Sequence, residues 1–167
     1  MNTKISVITV TYNSSKNIHK LLDSLVNNKQ YINEVIIIEN NSSDKNKTEK
    51  ECRKYRDRIN LSFINSYNAG FGKSCNAGAR KSESSLILFL NPDTELQKDS
   101  LKILLHHMKK NEADIIGGKT INYSDKPHGS VVRFPTLFIG LFEFSNLGKL
   151  FNIYSAHKIF YYEDQKI

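Results

Sequence analysis

Ile5-Ser-Val-Ile-Thr-Val-Thr11, followed by Tyr12-Asn13-Ser14-Ser15 and then by Ile18, Leu21, Leu22, Leu25 and Val26, is the stretch on which the fold turns. The first seven residues form a short apolar, β-branched run, the pattern of a strand buried on both faces. The next apolar residues fall at i, i+3, i+4, i+7 and i+8, one face of an amphipathic helix, with Ser14 or Ser15 offered as its N-cap. Strand is followed by helix, and the same alternation recurs downstream. Glu34-Val-Ile-Ile-Ile-Glu39 reads as a second buried strand, closed by the turn-rich Asn40-Asn41-Ser42-Ser43-Asp44. From Asp44 to Arg58 seven basic and four acidic residues leave little apolar surface, so this segment reads as a solvated helix.

Ile59–Asn65 is a third strand, Gly70–Ser82 a small-residue loop running into a helix, and Leu86–Leu90 a fourth strand. Leu101, Leu104, Leu105 and Met108 mark a further helix capped by Asp99 or Ser100, and Ala113–Gly118 reads as a fifth strand. Such alternation calls for an α/β fold with a mostly parallel sheet flanked by helices. Past Gly118 the period is lost. Ile121–Arg133 is expected to be a hairpin or loop with Pro127 and Gly129 in its turn, and Phe134–Phe151 a Phe/Leu-rich segment, helical in part.

At 167 residues the chain is the size of one domain and can bury a core of its own. Its apolar share of 39% with both charge signs excludes a disordered chain. The net charge of +7 and pI near 9.3 suit a phosphate-bearing partner without choosing between a nucleotide, a nucleic acid and an anionic membrane face. Cys52 and Cys75 are too few for a disulfide framework or a zinc site and read as reduced thiols. The N-terminus lacks the h-region and cleavage site of a secretory signal, and no apolar run approaches the ~20 residues that span a bilayer. A cytoplasmic protein is expected.

In open α/β sheets ligands bind beyond the carboxyl ends of the strands. Four polar clusters stand at those ends: Thr11-Tyr12-Asn13, Glu39 to Asp44, Asn68-Ala69-Gly70-Phe71-Gly72, and Asn91-Pro92-Asp93-Thr94. Each alone is ordinary turn chemistry. Their joint placement on one rim is the signal. Tyr12 offers a flat face for a base, Glu39 an acceptor for a base or ribose, and the glycines allow backbone to approach phosphate. Asp93, directly after an apolar strand, is placed to hold a hard divalent cation shared with a diphosphate, and Asn91 adds a neutral oxygen donor; the plain alternative is that Asp93 caps the following turn.

Gly72-Lys73-Ser74 copies the tail of a phosphate-binding P-loop, but Tyr67 stands where that motif needs its first glycine. Gly70-x-Gly72 fails as a dinucleotide fingerprint because Cys75 replaces the third glycine. His106 and His107 occupy adjacent helical positions and point apart, which spoils them as a chelating pair. His128 falls in the loop region with no assigned role. No basic stripe interleaved with aromatics is present, so nucleic acid is not an expected partner.

Taken together, Ser6-Val-Ile-Thr-Val-Thr-Tyr-Asn-Ser14, the Glu34–Asp44 strand and turn, Asn68-Ala-Gly-Phe-Gly72 with Asn76-x-Gly78, and Leu88-Phe-Leu-Asn-Pro-Asp-Thr94 resemble family 2 glycosyltransferases of GT-A fold, a Rossmann-like nucleotide-diphospho-sugar transferase architecture. The resemblance spans about residues 4–137 and is greatest to rhamnosyltransferase-like members, with which Arg133-Phe-Pro-Thr136 is also shared. It implies a single glycosyltransferase domain over 1–167, with a nucleotide-sugar-binding core in 1–118 and a partial acceptor-side segment in 119–167. Thr11, Tyr12 and Asn13 would line the nucleoside pocket. Glu39 takes the place of a base-binding Asp, a departure in side-chain length. Asn68 and Gly72 would pack along the nucleotide, Lys73 would stand near phosphate, and Asn91-Pro92-Asp93 would match the family's Asp-x-Asp element, with Asp93 binding Mg²⁺ or Mn²⁺.

The chemistry so implied is an inverting transfer of a sugar, rhamnose as first choice, from a dTDP- or UDP-sugar to a surface glycan or lipid-linked acceptor. The family's general base lies in an acceptor-binding portion that follows the point where this chain stops. Asp164, in Tyr162-Glu163-Asp164, is a candidate for that base, set against a plain terminal charge. A chain without its base is also consistent with a nucleotide-sugar-binding module that does not catalyse. The Phe134–Phe151 segment with Lys149 either packs on protein or meets the inner face of the cell membrane.

Overall fold

The structure is a computed structural model that describes residues 4–122, 127–128 and 137. The chain forms two compact units, Met1–His107 and Met108–Ile167. In the first, β1 (Ile5–Thr11), α1 (Ile18–Asn27), β2 (Ile32–Glu39), α2 (Lys45–Arg53), β3 (Leu61–Asn65), α3 (Phe71–Ala79) and β4 (Leu86–Phe89) follow one another as the alternation requires, with a 3₁₀ turn at Lys29–Tyr31 before β2. A further helix, α4, spans Ser100–Lys110.

The four strands form one sheet in the order β3-β2-β1-β4, every pairing parallel. β1 and β2 are buried along almost their whole length, which is why neither shows the polar/apolar alternation of a half-exposed strand. Parallel strands cannot be joined by tight hairpins, so each crossover carries a helix over one face. Ile18, Leu21, Leu22 and Leu25 of α1 pack with Val7, Val35, Ile37, Cys52 of α2 and Leu101 of α4 on one side. Fully burying each of these aliphatic side chains contributes roughly 1.5–3 kcal/mol. On the other face Ile8, Val10, Ile36 and Ile38 pack with Cys75 and Ala79 of α3. There α3 lies so close that a β-carbon on Gly78 would come within 2.6 Å of Ile8 Cγ2.

β2 starts two residues before the expected Glu34, β3 two residues after the expected Ile59, and β4 ends one residue before the expected Leu90; other differences from the sequence reading have a physical reason. α1 begins at Ile18 with Asn17 before it, because the Ser14 hydroxyl is engaged with the backbone of Tyr12 and only the Ser14 carbonyl serves the helix, taking the N–H groups of Asn17 and Ile18. The solvated helix stops at Arg53, five residues short of Arg58. Residues 113–118 do not form a strand: Ile115 is 90% exposed, and an apolar β-branched run makes a strand only where a neighbour supplies hydrogen bonds. In the second unit the hairpin exists as β5 (Thr120–Ile121) paired antiparallel with β6 (Pro127–His128), so Pro127 stands in the return strand and not in the turn. Gly129, the Arg133–Thr136 and Phe134–Phe151 segments other than Leu137, and Asp164 lie outside the described residues.

Candidate functional site

Because all four strands run the same way, Thr11, Glu39, Asn65 and Phe89 end at one rim of the sheet. The chain builds outward from β1 to β2 and β3, then crosses to β4 on the far side of β1. The ends of β1 and β4 are thus neighbours at the point where the strand order reverses, the place where open α/β sheets form a crevice. A cleft of about 360 Å³ lies there, lined by Val10, Tyr12, Asn13, Ser14, Asn17, Phe71 and the Asn91-Pro92-Asp93 turn.

Two exposed aromatic rings, Tyr12 and Phe71, contribute to its lining. Opposite in sequence, Asn91 to Thr94 is a turn closed by a 3.1 Å bond from the Thr94 N–H to the Asn91 carbonyl, with Pro92 at its second position. Asn91 and Asp93 are exposed, and neither side chain is hydrogen-bonded among the described residues. Asn13 has a left-handed backbone, φ 53°, and its side-chain oxygen accepts from the Ser43 N–H (3.2 Å) and hydroxyl (3.0 Å), tying the loop after β1 to the loop after β2.

Thr11 and Glu39 do not line the cleft, and both are fully buried. They are register partners across β1 and β2, and the Thr11 hydroxyl donates to Glu39 Oε2 at 2.7 Å. The other carboxylate oxygen accepts from the Ser42 N–H at 2.7 Å and from the Ser42 hydroxyl. Both oxygens are therefore engaged in holding the strand ends together. A second carboxylate does similar work nearby: Asp44 Oδ2 accepts from the Ser15 N–H at 2.9 Å. Partial burial pushes the Asp44 carboxyl up, but hydrogen bonds from the Ser15 side chain and backbone outweigh it and hold the group below the usual carboxylate range.

Asn68, Gly72 and Lys73 sit in the β3–α3 connection and the first turn of α3, exposed and next to Phe71, but they do not line the cleft. Gly72, Lys73 and Ser74 lie in the first turn of α3, as the tail of a P-loop would, so the case against that motif remains Tyr67 at the position of its first glycine. Phe71, Ser14 and Asn17 also line the cleft; the sequence offers Ser14 as an N-cap, Phe71 only as part of the Asn68–Gly72 cluster, and gives Asn17 no role. A large apolar ring between Gly70 and Gly72 was the available signal for Phe71. Both cysteines are free; Cys52 is in the core, where burial pushes its thiol up to about 12. His106 and His107 meet edge to face at 5.5 Å between ring centres.

Among the described residues no three His, Cys, Asp or Glu side chains come together to hold a metal. The donors the cleft does present, the Asp93 carboxylate and the Asn91 amide, are oxygen ligands suited to a hard cation that keeps water and takes further ligands from a bound diphosphate. They fit an ion that arrives with its ligand better than one bound by protein alone.

A doubly wound α/β domain with a cleft at its strand-order switch is the class that this fold and rim define. Residues 6–161 match the Glycosyl transferase family 2 profile, and the chain belongs to that family. It is 29% identical over 118 residues to poly(ribitol-phosphate) β-N-acetylglucosaminyltransferase TarP of Staphylococcus aureus, covering 70% of this chain and 36% of TarP. The crystal structure of S. aureus TarS residues 1–349 in complex with UDP-GlcNAc superposes with a TM-score of 0.58 at 31% identity, over 66% of this chain and 32% of that one. A mannosyltransferase from Pyrobaculum calidifontis in complex with GDP-Man and Mn²⁺, at 19% identity and a TM-score of 0.56, shares the fold. The chain thus spans about a third of the length of TarP. The expected GT-A architecture is the one found.

Proposed function

We propose that the carboxyl-rim cleft is the donor site of a glycosyltransferase and takes a nucleoside-diphosphate sugar. The observation that carries this reading is that Tyr12, Asn13, Asn91 and Asp93, drawn from the ends of two different strands, line one cleft. Tyr12 and Asn13 face the nucleoside, with Thr11 and Glu39 as the buried support of that side. Asn68, Gly72 and Lys73 flank the phosphates from the start of α3. Asp93, with Asn91, holds Mg²⁺ or Mn²⁺ at the diphosphate, and when bound that ion supplies Lewis-acid stabilisation of the departing nucleoside diphosphate.

The whole protein transfers the sugar with inversion to a cell-surface polysaccharide or lipid-linked acceptor, on the cytoplasmic side of the membrane. In that step the acceptor hydroxyl attacks the anomeric carbon, a carboxylate takes its proton, and the bond to the diphosphate oxygen breaks. The TarS complex with UDP-GlcNAc supports a UDP-sugar as donor; dTDP-rhamnose, from the resemblance to rhamnosyltransferase-like members, is the competing donor. Among the described residues Asp93 is the one carboxylate that lines the cleft, an observation that favours a second reading for these 167 residues taken alone, a module that binds donor without turning it over.

A thermal-shift screen of UDP-, dTDP- and GDP-sugars with and without Mn²⁺ tests the donor site, and one class of nucleotide is expected to raise the melting temperature only with the metal. No shift with any of them sinks the proposal. Donor hydrolysis or transfer in the same samples decides between enzyme and binding module, and Asp164→Asn tests Asp164 as the base.

A further inference from the structure

We propose that Asn40 is a positioning residue of the donor cleft: its side-chain amide clamps the first turn of α3 to the ends of β1 and β2, and so sets where Phe71 stands. This inference rests on the donor-site reading. Asn40 does not line the cleft and is 5% exposed. Its backbone N–H donates to the Thr11 carbonyl at 2.9 Å, continuing the β1–β2 ladder one residue past Glu39 and fixing where the side chain starts.

The side chain then uses both halves of its amide. Asn40 Oδ1 accepts from the Ala69 N–H at 3.1 Å and from the Ser74 hydroxyl at 3.0 Å. Asn40 Nδ2 donates to Asn68 Oδ1 at 3.1 Å, and that oxygen also accepts from the Gly70 N–H at 3.2 Å. Backbone N–H groups can only donate, so the bonds to Ala69 and Gly70 leave one orientation for each amide. Ser74 is 1% exposed and returns its own N–H to the Gly70 carbonyl at 3.2 Å, which ties the clamp into α3. Gly70, at φ 82°, is the left-handed step into the helix, and the next residue, Phe71, is a wall of the cleft.

Ordinary turn chemistry would accept Asp at position 40 as readily as Asn. The clamp would not. A carboxylate keeps the acceptor for Ala69 and Ser74 but sets oxygen against Asn68 Oδ1, and rotating the Asn68 amide to compensate strips Gly70 of its acceptor. Asn40→Asp therefore separates a positioning role from a local conformational one without changing side-chain size.

The test is calorimetric titration of the full chain with UDP and Mn²⁺, dTDP in parallel, well below the melting temperature, together with amide hydrogen exchange. Asn40→Asp is expected to weaken nucleotide binding about tenfold, Asn40→Leu at least as much, and Ser74→Ala about threefold: the first sets a carboxylate oxygen against Asn68 Oδ1, the second removes every contact of the clamp, and the third removes the Ser74 contact alone. Exchange at Gly70 should quicken in both Asn40 variants, and at Ala69 in Asn40→Leu, while Ile36, Ile37 and Ile38 stay protected. Should Asn40→Leu fail to fold, the isosteric Asn40→Asp carries the measurement. Unchanged affinity in Asn40→Asp, even with a lowered melting temperature, overturns the proposal, as does lost affinity with unaltered exchange at Gly70. A wild-type protein that binds neither UDP nor dTDP overturns the donor-site reading and this inference with it.

Discussion

The two ends of one sheet carry clefts of similar size and different build. At the amino end Lys4, Lys29, Gln30, Ile32, Asn33, Arg58, Ile59 and Asn60 surround about 440 Å³; at the carboxyl end the volume is about 360 Å³. At the amino end α1 finishes just before Lys29, and a cation beside the negative end of a helix is simple dipole compensation. Arg58 lies over the Tyr55 ring and reaches Asp23 at 3.4 Å, a partly exposed pair of small energetic weight. At the carboxyl end Thr11, Asn13, Glu39, Asn40, Asp44 and their serine and asparagine partners bind the loops after β1, β2 and β3 to one another through side-chain hydrogen bonds. Volume does not distinguish the two. The number of side-chain bonds between the loops does: among the described residues the amino-end lining is joined by one, from Asn60 Nδ2 to the Asn33 carbonyl at 3.2 Å, and walls held in place beforehand favour recognition.

Breaking that contrast most severely should be Asp93→Ala. We expect about a 100-fold loss of Mn²⁺-dependent nucleotide affinity with the cooperative melt retained, since metal sites lose at least this much when their ligands are disturbed. Retained metal-dependent binding in that variant would remove the metal assignment. Gly78→Ala attacks the layer beneath the rim: the added methyl would meet Ile8 Cγ2 at 2.6 Å and should cost about 2 kcal/mol of unfolding free energy in urea titrations. Tyr12→Ala is expected to weaken nucleotide binding about tenfold if its ring stacks on a base, and a variant that binds UDP as tightly as wild type removes that contact.

A smaller effect sharpens the role of Asp44. Its carboxyl titrates below the ordinary 3.8 in the folded protein, so the stability it contributes is complete above about 3.8 and disappears as pH falls through the lower, folded value. Asp44→Asn should therefore lower stability near neutrality and make the acid end of the stability curve flatter than in wild type. Lastly, Lys4→Ala combined with Lys29→Ala, at the other end of the sheet, should leave nucleotide affinity unchanged within about twofold, as distant sites act independently. A large loss there would mean that the amino-end cleft takes part in binding.

Much of this architecture was legible because continuous apolar runs and 3.6-residue spacing are set locally. β1, β2, α1 and the parallel sense of the sheet follow from Ile5–Thr11, Glu34–Glu39 and the Ile18–Val26 pattern. Ala113–Gly118 misled for the opposite reason, since strand pairing depends on a neighbour that no local pattern names. The rim was readable as a set of polar endings, and its internal assignments were not. Asn and Ser look alike in sequence whether they turn a chain, cap a helix or bridge two loops, and only the topology shows that Asn40 reaches Ala69 and that Glu39 is closed off by Thr11 and Ser42. The ring of Phe71 escaped notice because its neighbours, two glycines, drew the reading toward backbone and phosphate.

The contact between Gly78 and Ile8 makes those two positions a volume-coupled pair seventy residues apart in sequence. Any enlargement of one requires a reduction of the other, so Ile8→Ala and Gly78→Ala should combine to cost less than the sum of the single changes. Redesign of this domain must treat positions 8 and 78 as a single choice.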